Sequence, residues 1–292
     1  MVHPSAAAPT DTESSTSIKE TGSAFWQLFL AFCTWVASWF TLLLVPVVVA
    51  LPYIVYRMKV SEVVFESLVT DKTVILLTLL GVIPAHALTI LVAWAAVTGW
   101  GKRPFWETIR WSWPDEVDPL RRAVLIGSTV VFAAVLLSLG WLITWKLGGQ
   151  ETQIDQLIKS SFAARLTTAF LAAATAPFVE EVVYRGVIYS AVDRAFGTIA
   201  AVLVVSAMFA LVHVPQYATN LAVLSVILML SITLTLVRAG TGRLFPCFLI
   251  HLVFNGIQSI QIVVTPFLES RHPEKTAGAI LHVIGLLGKP LG

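Results

Sequence analysis

Long uncharged apolar stretches alternate with short polar ones along this chain. No Asp, Glu, Lys or Arg occurs from Ala24 to Tyr56, from Thr73 to Gly101 or from Ala123 to Trp145. Each stretch reaches or exceeds the roughly 20 apolar residues that a helix needs to cross a bilayer core. Three spans are therefore predicted. In the first, Pro46 and Pro52 lack the amide hydrogen that continues a helix and are expected to bend or end it. A fourth span is expected from about Ser161 to Ala195, kinked at Pro177. The uncharged run from Ala195 to Val237 is too long for one crossing, and Val214-Pro215-Gln216-Tyr217 is the natural place to divide it into spans five and six. Span seven covers Leu244 to Val264, and the short apolar piece Ala277 to Leu287 is either an eighth crossing or an interfacial helix. The fold class is all-α, a polytopic transmembrane helical bundle of seven or eight spans.

The polar stretches complete the layout. Residues 1–23, rich in Ser, Thr, Ala and Pro, have nothing to bury a core and are expected to form a disordered tail. Residues 24–159 hold the first three spans and a loop that mixes Trp106, Trp111 and Trp113 with Lys102, Arg103, Arg110, Arg121 and Arg122. Such mixtures anchor at membrane interfaces, so this loop is expected to lie on the headgroups, as an anchor or as a lid. Its basic residues favour placing it, with the N-terminus, in the cytoplasm. Residues 160–265 carry the polar motifs described below, and 266–292 form a C-terminal segment.

Composition agrees. Hydrophobic residues make up 57%, charged residues 12%, and mean hydropathy is +0.83, values of an integral, multi-pass membrane protein. A net charge of +2 without a basic stripe, zinc-finger spacing or phosphate-binding glycine loop argues against nucleic acid. The expected partners are the lipid bilayer and a peptide or protein substrate. Cys33 and Cys247 lie inside apolar runs, where free cysteines act as small core hydrophobes.

Against this background the polar residues within spans stand out: Glu180, Glu181 and Arg185 in the fourth, His213 in the fifth, His251 and Asn255 in the seventh. A charge at mid-span costs roughly 2.5–3.5 kcal/mol on insertion scales and usually has a task. If spans four and five turn near Phe196-Gly197, Glu180 and His213 each lie about 16 residues from that turn. His251 lies about ten residues from the turn at Gly240-Thr241-Gly242, and at about 1.5 Å per residue the offset is on the order of 9 Å, within reach of tilt and unequal helix ends. Helical phase puts Glu181 and Arg185 on one face and turns Glu180 about 100° away. Glu181 is then an ionised scaffold and Glu180 a carboxylate suited to accepting a proton from water. His251 and Asn255 share a face and are placed to meet a developing oxyanion, with His213 completing the site. Bland readings remain open for each feature alone: charges at a juxtamembrane helix end, an interfacial histidine before Pro215, and interhelical hydrogen-bonding polar residues.

Glu180-Glu181-Val182-Val183-Tyr184-Arg185, Phe209-Ala210-Leu211-Val212-His213 and His251-Leu252-Val253-Phe254-Asn255 follow the ordered pattern E-E-x-x-x-R, F-x-x-x-H, H-x-x-x-N. In this the chain resembles the CPBP family of intramembrane proteases, grouped with CAAX prenyl protease 2 and with bacteriocin-processing or self-immunity proteins. The resemblance covers about residues 160–265. It implies an endopeptidase in which Glu180 activates the attacking water assisted by His213, Glu181 and Arg185 shape the site, and His251 and Asn255 stabilise the oxyanion. It leaves two cofactor readings open: none required, or Zn2+ held by Glu180, His213 and His251. Two non-proteolytic alternatives also stand: an immunity or scaffold protein and a proton-linked transporter, the latter disfavoured because no inverted repeat is visible.

Overall fold

The computed structural model describes residues 11–60, 64–113, 119–148 and 150–271. They form a bundle of helices: α1 (Asp11–Val60), α2 (Phe65–Leu68), α3 (Lys72–Thr98), α4 (Phe105–Thr108), α5 (Pro119–Leu147), α6 (Gln153–Ser160), α7 (Phe162–Phe170), α8 (Ala176–Glu180), α9 (Tyr189–Phe196), α10 (Thr198–Tyr217), α11 (Leu221–Thr241) and α12 (Phe245–Arg271). Two π-helical stretches, Leu171–Thr175 and Glu181–Ile188, join α7, α8 and α9 into one continuous fourth span. Among the described residues, seven helices are long and apolar enough to cross a membrane. The protein is an all-α polytopic membrane bundle. Residues 272–292, which include the apolar piece at Ala277 to Leu287, lie outside the described residues, as do residues 1–10.

Several expectations change in detail. The α1 backbone is helical from Asp11, so helix extends into the stretch expected to be a disordered tail. Once a helix is nucleated in the apolar part, each added residue gains a hydrogen bond for one pair of fixed dihedrals. Neither Pro46 nor Pro52 ends α1. Proline is tolerated within spans when neighbouring helices accommodate it, and here Pro46 meets a glycine. A Cβ on Gly81 of α3 would lie 2.6 Å from Pro46 Cα, so only glycine permits this crossing. One turn or more away, the hydroxyls of Thr41 and Thr89 are 2.8 Å apart across the same pair of helices.

The division between spans five and six also moves. Pro215 stays inside α10, and the break comes at Ala218–Asn220. There the Asn220 side chain accepts from Val223 N–H at 3.1 Å and caps α11, and Thr219 and Asn220 bond the carbonyls of Glu151 and Gln150. The cap decides the boundary, and the proline does not.

The described part of the loop after α3 does not simply lie on the headgroups. Ile109 is fully buried, and Trp111 packs against Phe178, Phe245 and Phe248. Leu244 N–H donates to Arg110 O at 2.9 Å, and Arg243 Nη1 to Ser112 Oγ at 2.9 Å. Aromatic side chains carry a large apolar area to bury, and here the segment wedges into the bundle end next to the fourth and seventh spans. Trp100, by contrast, remains exposed.

The fourth span occupies the centre of the bundle. All eight residues of Glu181–Ile188 are buried, in a core shared with Ala31, Ala93, Val205, Phe209 and Leu244 from four other parts of the chain. Phe25, Leu43, Ile199 and Leu203 are exposed, as the lipid-facing surface of a span requires.

Candidate active site

The two glutamates diverge as helical phase predicts. Glu181 is fully buried, and its Oε1 accepts from Arg185 Nη1 at 3.1 Å. Glu180 is 24% exposed at its side chain. The Arg185 guanidinium is itself fully buried and fully engaged. Nε donates to Thr235 Oγ1 at 3.3 Å, and Nη2 to Ser231 O and Oγ at 3.1 and 2.9 Å. Its Cζ lies 4.6 Å from the centre of the Phe209 ring, a cation–π contact. A buried charge needs this degree of pairing and hydrogen bonding, because either ion left alone would be strongly destabilising.

His251, 1% exposed, stands between the glutamates. Its Nδ1 is 2.9 Å from Glu181 Oε1, and its Nε2 is 3.6 Å from Glu180 Oε2. A carboxylate only accepts, so Nδ1 carries the proton and Nε2 is turned to Glu180. The depth argument thus holds for spans four and seven.

His213 takes a different place. Its Nδ1 bonds the carbonyl of Phe209 at 2.7 Å in its own helix, and its ring stacks on Tyr217 and lies 4.8 Å from the Phe209 ring centre. Among the described residues no hydrogen bond or ion pair joins it to either glutamate. The Phe209 ring, 2% exposed, touches both imidazoles, with its centre 6.0 Å from that of His251. Asn255 also differs from expectation. Its Nδ2 donates to Ala172 O at 3.1 Å, so this amide is engaged by main chain in the fourth span. The structure therefore brings Glu180, Glu181, Arg185 and His251 together, and places His213 and Asn255 one residue layer away.

Ser231, Thr235 and Phe209 contribute to the site beyond the residues expected. Ser231 and Thr235 are hydroxyls four apart in an uncharged run, a spacing that puts both on one helix face. Phe209 opens the F-x-x-x-H motif. His86 of α3 bonds Thr175 Oγ1 through Nδ1 at 2.9 Å just before α8.

A zinc ion would need convergent donors. Among the described residues no group of three or more His, Cys, Asp or Glu side chains is arranged to hold a metal ion. With Nδ1 of His251 on Glu181 and Nδ1 of His213 on a main-chain carbonyl, Nε2 is the atom through which either imidazole would meet an ion. The trio Glu180, His213 and His251 is not gathered into such a group among the described residues, and the chemistry below uses side chains alone.

Residues 162–257 match the family model described as Type II CAAX prenyl endopeptidase Rce1-like. All six expected site residues fall within the match, and the first three spans fall outside it. No curated protein and no solved structure matches the chain. The buried Glu181–His251–Glu180 arrangement and this match together are consistent with a protease-type site within a membrane.

Proposed function

We propose that the chain is an intramembrane endopeptidase that hydrolyses peptide bonds of membrane-associated proteins or peptides by glutamate-activated water. The observation that carries this reading is the placement of His251 between a locked carboxylate, Glu181, and a partly exposed one, Glu180. A gap of 3.6 Å is too long for a direct hydrogen bond. A water beside the pair, about 2.8 Å from each atom, bonds both.

Glu180 then removes a proton from that water as its oxygen attacks the carbonyl carbon of the peptide. The tetrahedral intermediate collapses when the C–N bond breaks, and the proton taken up by Glu180 passes to the leaving amine. His251, held in one tautomer by Glu181, orients the water through Nε2. Arg185 pairs with Glu181 and fixes it. His213, with Nδ1 anchored to Phe209 O, has only Nε2 left to meet substrate, and in this proposal it faces the oxyanion. This exchanges the parts that the sequence resemblance implies for the two histidines.

The match over residues 162–257 supports a peptide substrate, and CAAX-type processing is the specific form of this proposal. We further assign residues 160–265 as the catalytic core, and place the protein in the cell inner membrane with the site opening toward the cytoplasm. The test is incubation of the purified protein in detergent with a library of membrane-associated peptides, prenylated and unprenylated, followed by product masses. Defined cleavage products support the reading, and their absence favours a scaffold or transport protein.

A further inference from the structure

The fourth span changes helical register twice, and each change leaves one main-chain carbonyl without its helical donor. At the second, Tyr189 N–H donates to Tyr184 O and not to Arg185 O. The Arg185 carbonyl instead receives Arg238 Nε from α11 at 3.1 Å. At the first, Ala176 N–H donates to Leu171 O, so Ala172 O loses its α-helical partner. Its π-helical partner would be residue 177, and Pro177 has no N–H. As folded, no main-chain donor is left for Ala172 O, because Ala176 N–H is taken by Leu171 O and Pro177 has none. Asn255 Nδ2 takes the position at 3.1 Å.

The same short turn is gripped from its other side by His86, through Thr175 Oγ1. Asn255 is one helical turn from His251, and Ala172 lies about two turns before Glu180. The Asn255–Ala172 bond thus fixes α12 against the fourth span directly beneath the point where His251 must reach both glutamates.

We propose that Asn255 is a positioning residue that acts through the Ala172 carbonyl left open by Pro177. Its catalytic part rests on the protease reading above. Its structural part does not. The carbonyl needs Asn255 only while residue 177 is proline: with alanine there, an N–H is available from residue 177 in the π register or from residue 176 in the α register.

The test is a cycle of Asn255→Ala, Pro177→Ala and the double variant in detergent, read by melting temperature and by kcat and KM below every melting point. Asn255→Ala alone should lower kcat of folded protein by about 100-fold, the scale on which misplacement of about 1 Å acts, with KM little changed. A merely structural role would leave kcat of the folded protein intact. In the Pro177→Ala background the further loss from Asn255→Ala should shrink at least about tenfold, and its effect on melting should shrink in parallel. An undiminished kcat loss in that background overturns the proposal, as an oxyanion ligand would be needed whatever occupies position 177. Additive melting shifts also overturn it. If the wild type or Pro177→Ala cuts no peptide, melting alone decides: coupled shifts support the Asn255–Ala172 clamp, and the failure of cleavage by the wild type falls on the protease reading.

Discussion

His251 Nε2 faces Glu180 Oε2 across 3.6 Å while its Nδ1 is tied to Glu181. One imidazole thereby converts two neighbouring carboxylates into unlike groups, one buried and ion-paired, the other partly open. Replacing His251 by alanine removes the group that orients water beside Glu180. Cleavage should fall by roughly 10²–10⁴-fold, with Arg185 and Glu181 still paired. Steady-state rates together with a melting curve check this.

The glutamates should separate in stability. Glu181→Gln leaves the buried Arg185 guanidinium without its anion, which costs roughly 3–5 kcal/mol, and a lowered melting temperature is expected. Glu180→Gln touches a side chain that makes no such pair and should melt near the wild type. Arg185→Lys should resemble Glu181→Gln, because an ammonium cannot reach Glu181, Ser231 and Thr235 from one planar fork.

Gly81 and Pro46 set the contact of α1 with α3. Gly81→Ala places a methyl 2.6 Å from Pro46 Cα, against main chain that cannot yield without moving a helix. Overpacking of this kind costs roughly 1–3 kcal/mol. Thermal melting is expected to show the loss, with kcat of the folded fraction retained because the site lies on other spans.

Cleavage should persist in a strong chelator. The donors of the trio Glu180, His213 and His251 are not gathered among the described residues. Metal analysis of the purified protein alongside the chelator assay checks this, and loss of activity restored by added zinc would favour the metal-dependent alternative.

Much of the bundle was legible because bilayer-length uncharged runs leave few other folds. The Glu181–Arg185 pair was legible for a similar reason: residues four apart face the same side whatever the neighbours do. Which imidazole meets which carboxylate was not, since counting residues from turns gives depth but not the rotation of α10 and α12. The partner of Asn255 was hidden further, behind a change of helical register that depends on packing around Pro177. Ser231 and Thr235 read only as hydroxyls in an apolar run until Arg185 is set against them. That Trp111 and Ile109 pack between helices was not legible, because tryptophans beside basic residues have the same composition in an anchor and in a wedge.

The central claim is that Glu180 takes the proton from the attacking water. Its most direct test is the cleavage rate of Glu180→Gln measured against wild type at equal melting temperature, on one peptide that the wild type cuts. The account predicts a fall of at least about 100-fold. Cleavage by Glu180→Gln at the wild-type rate would contradict it.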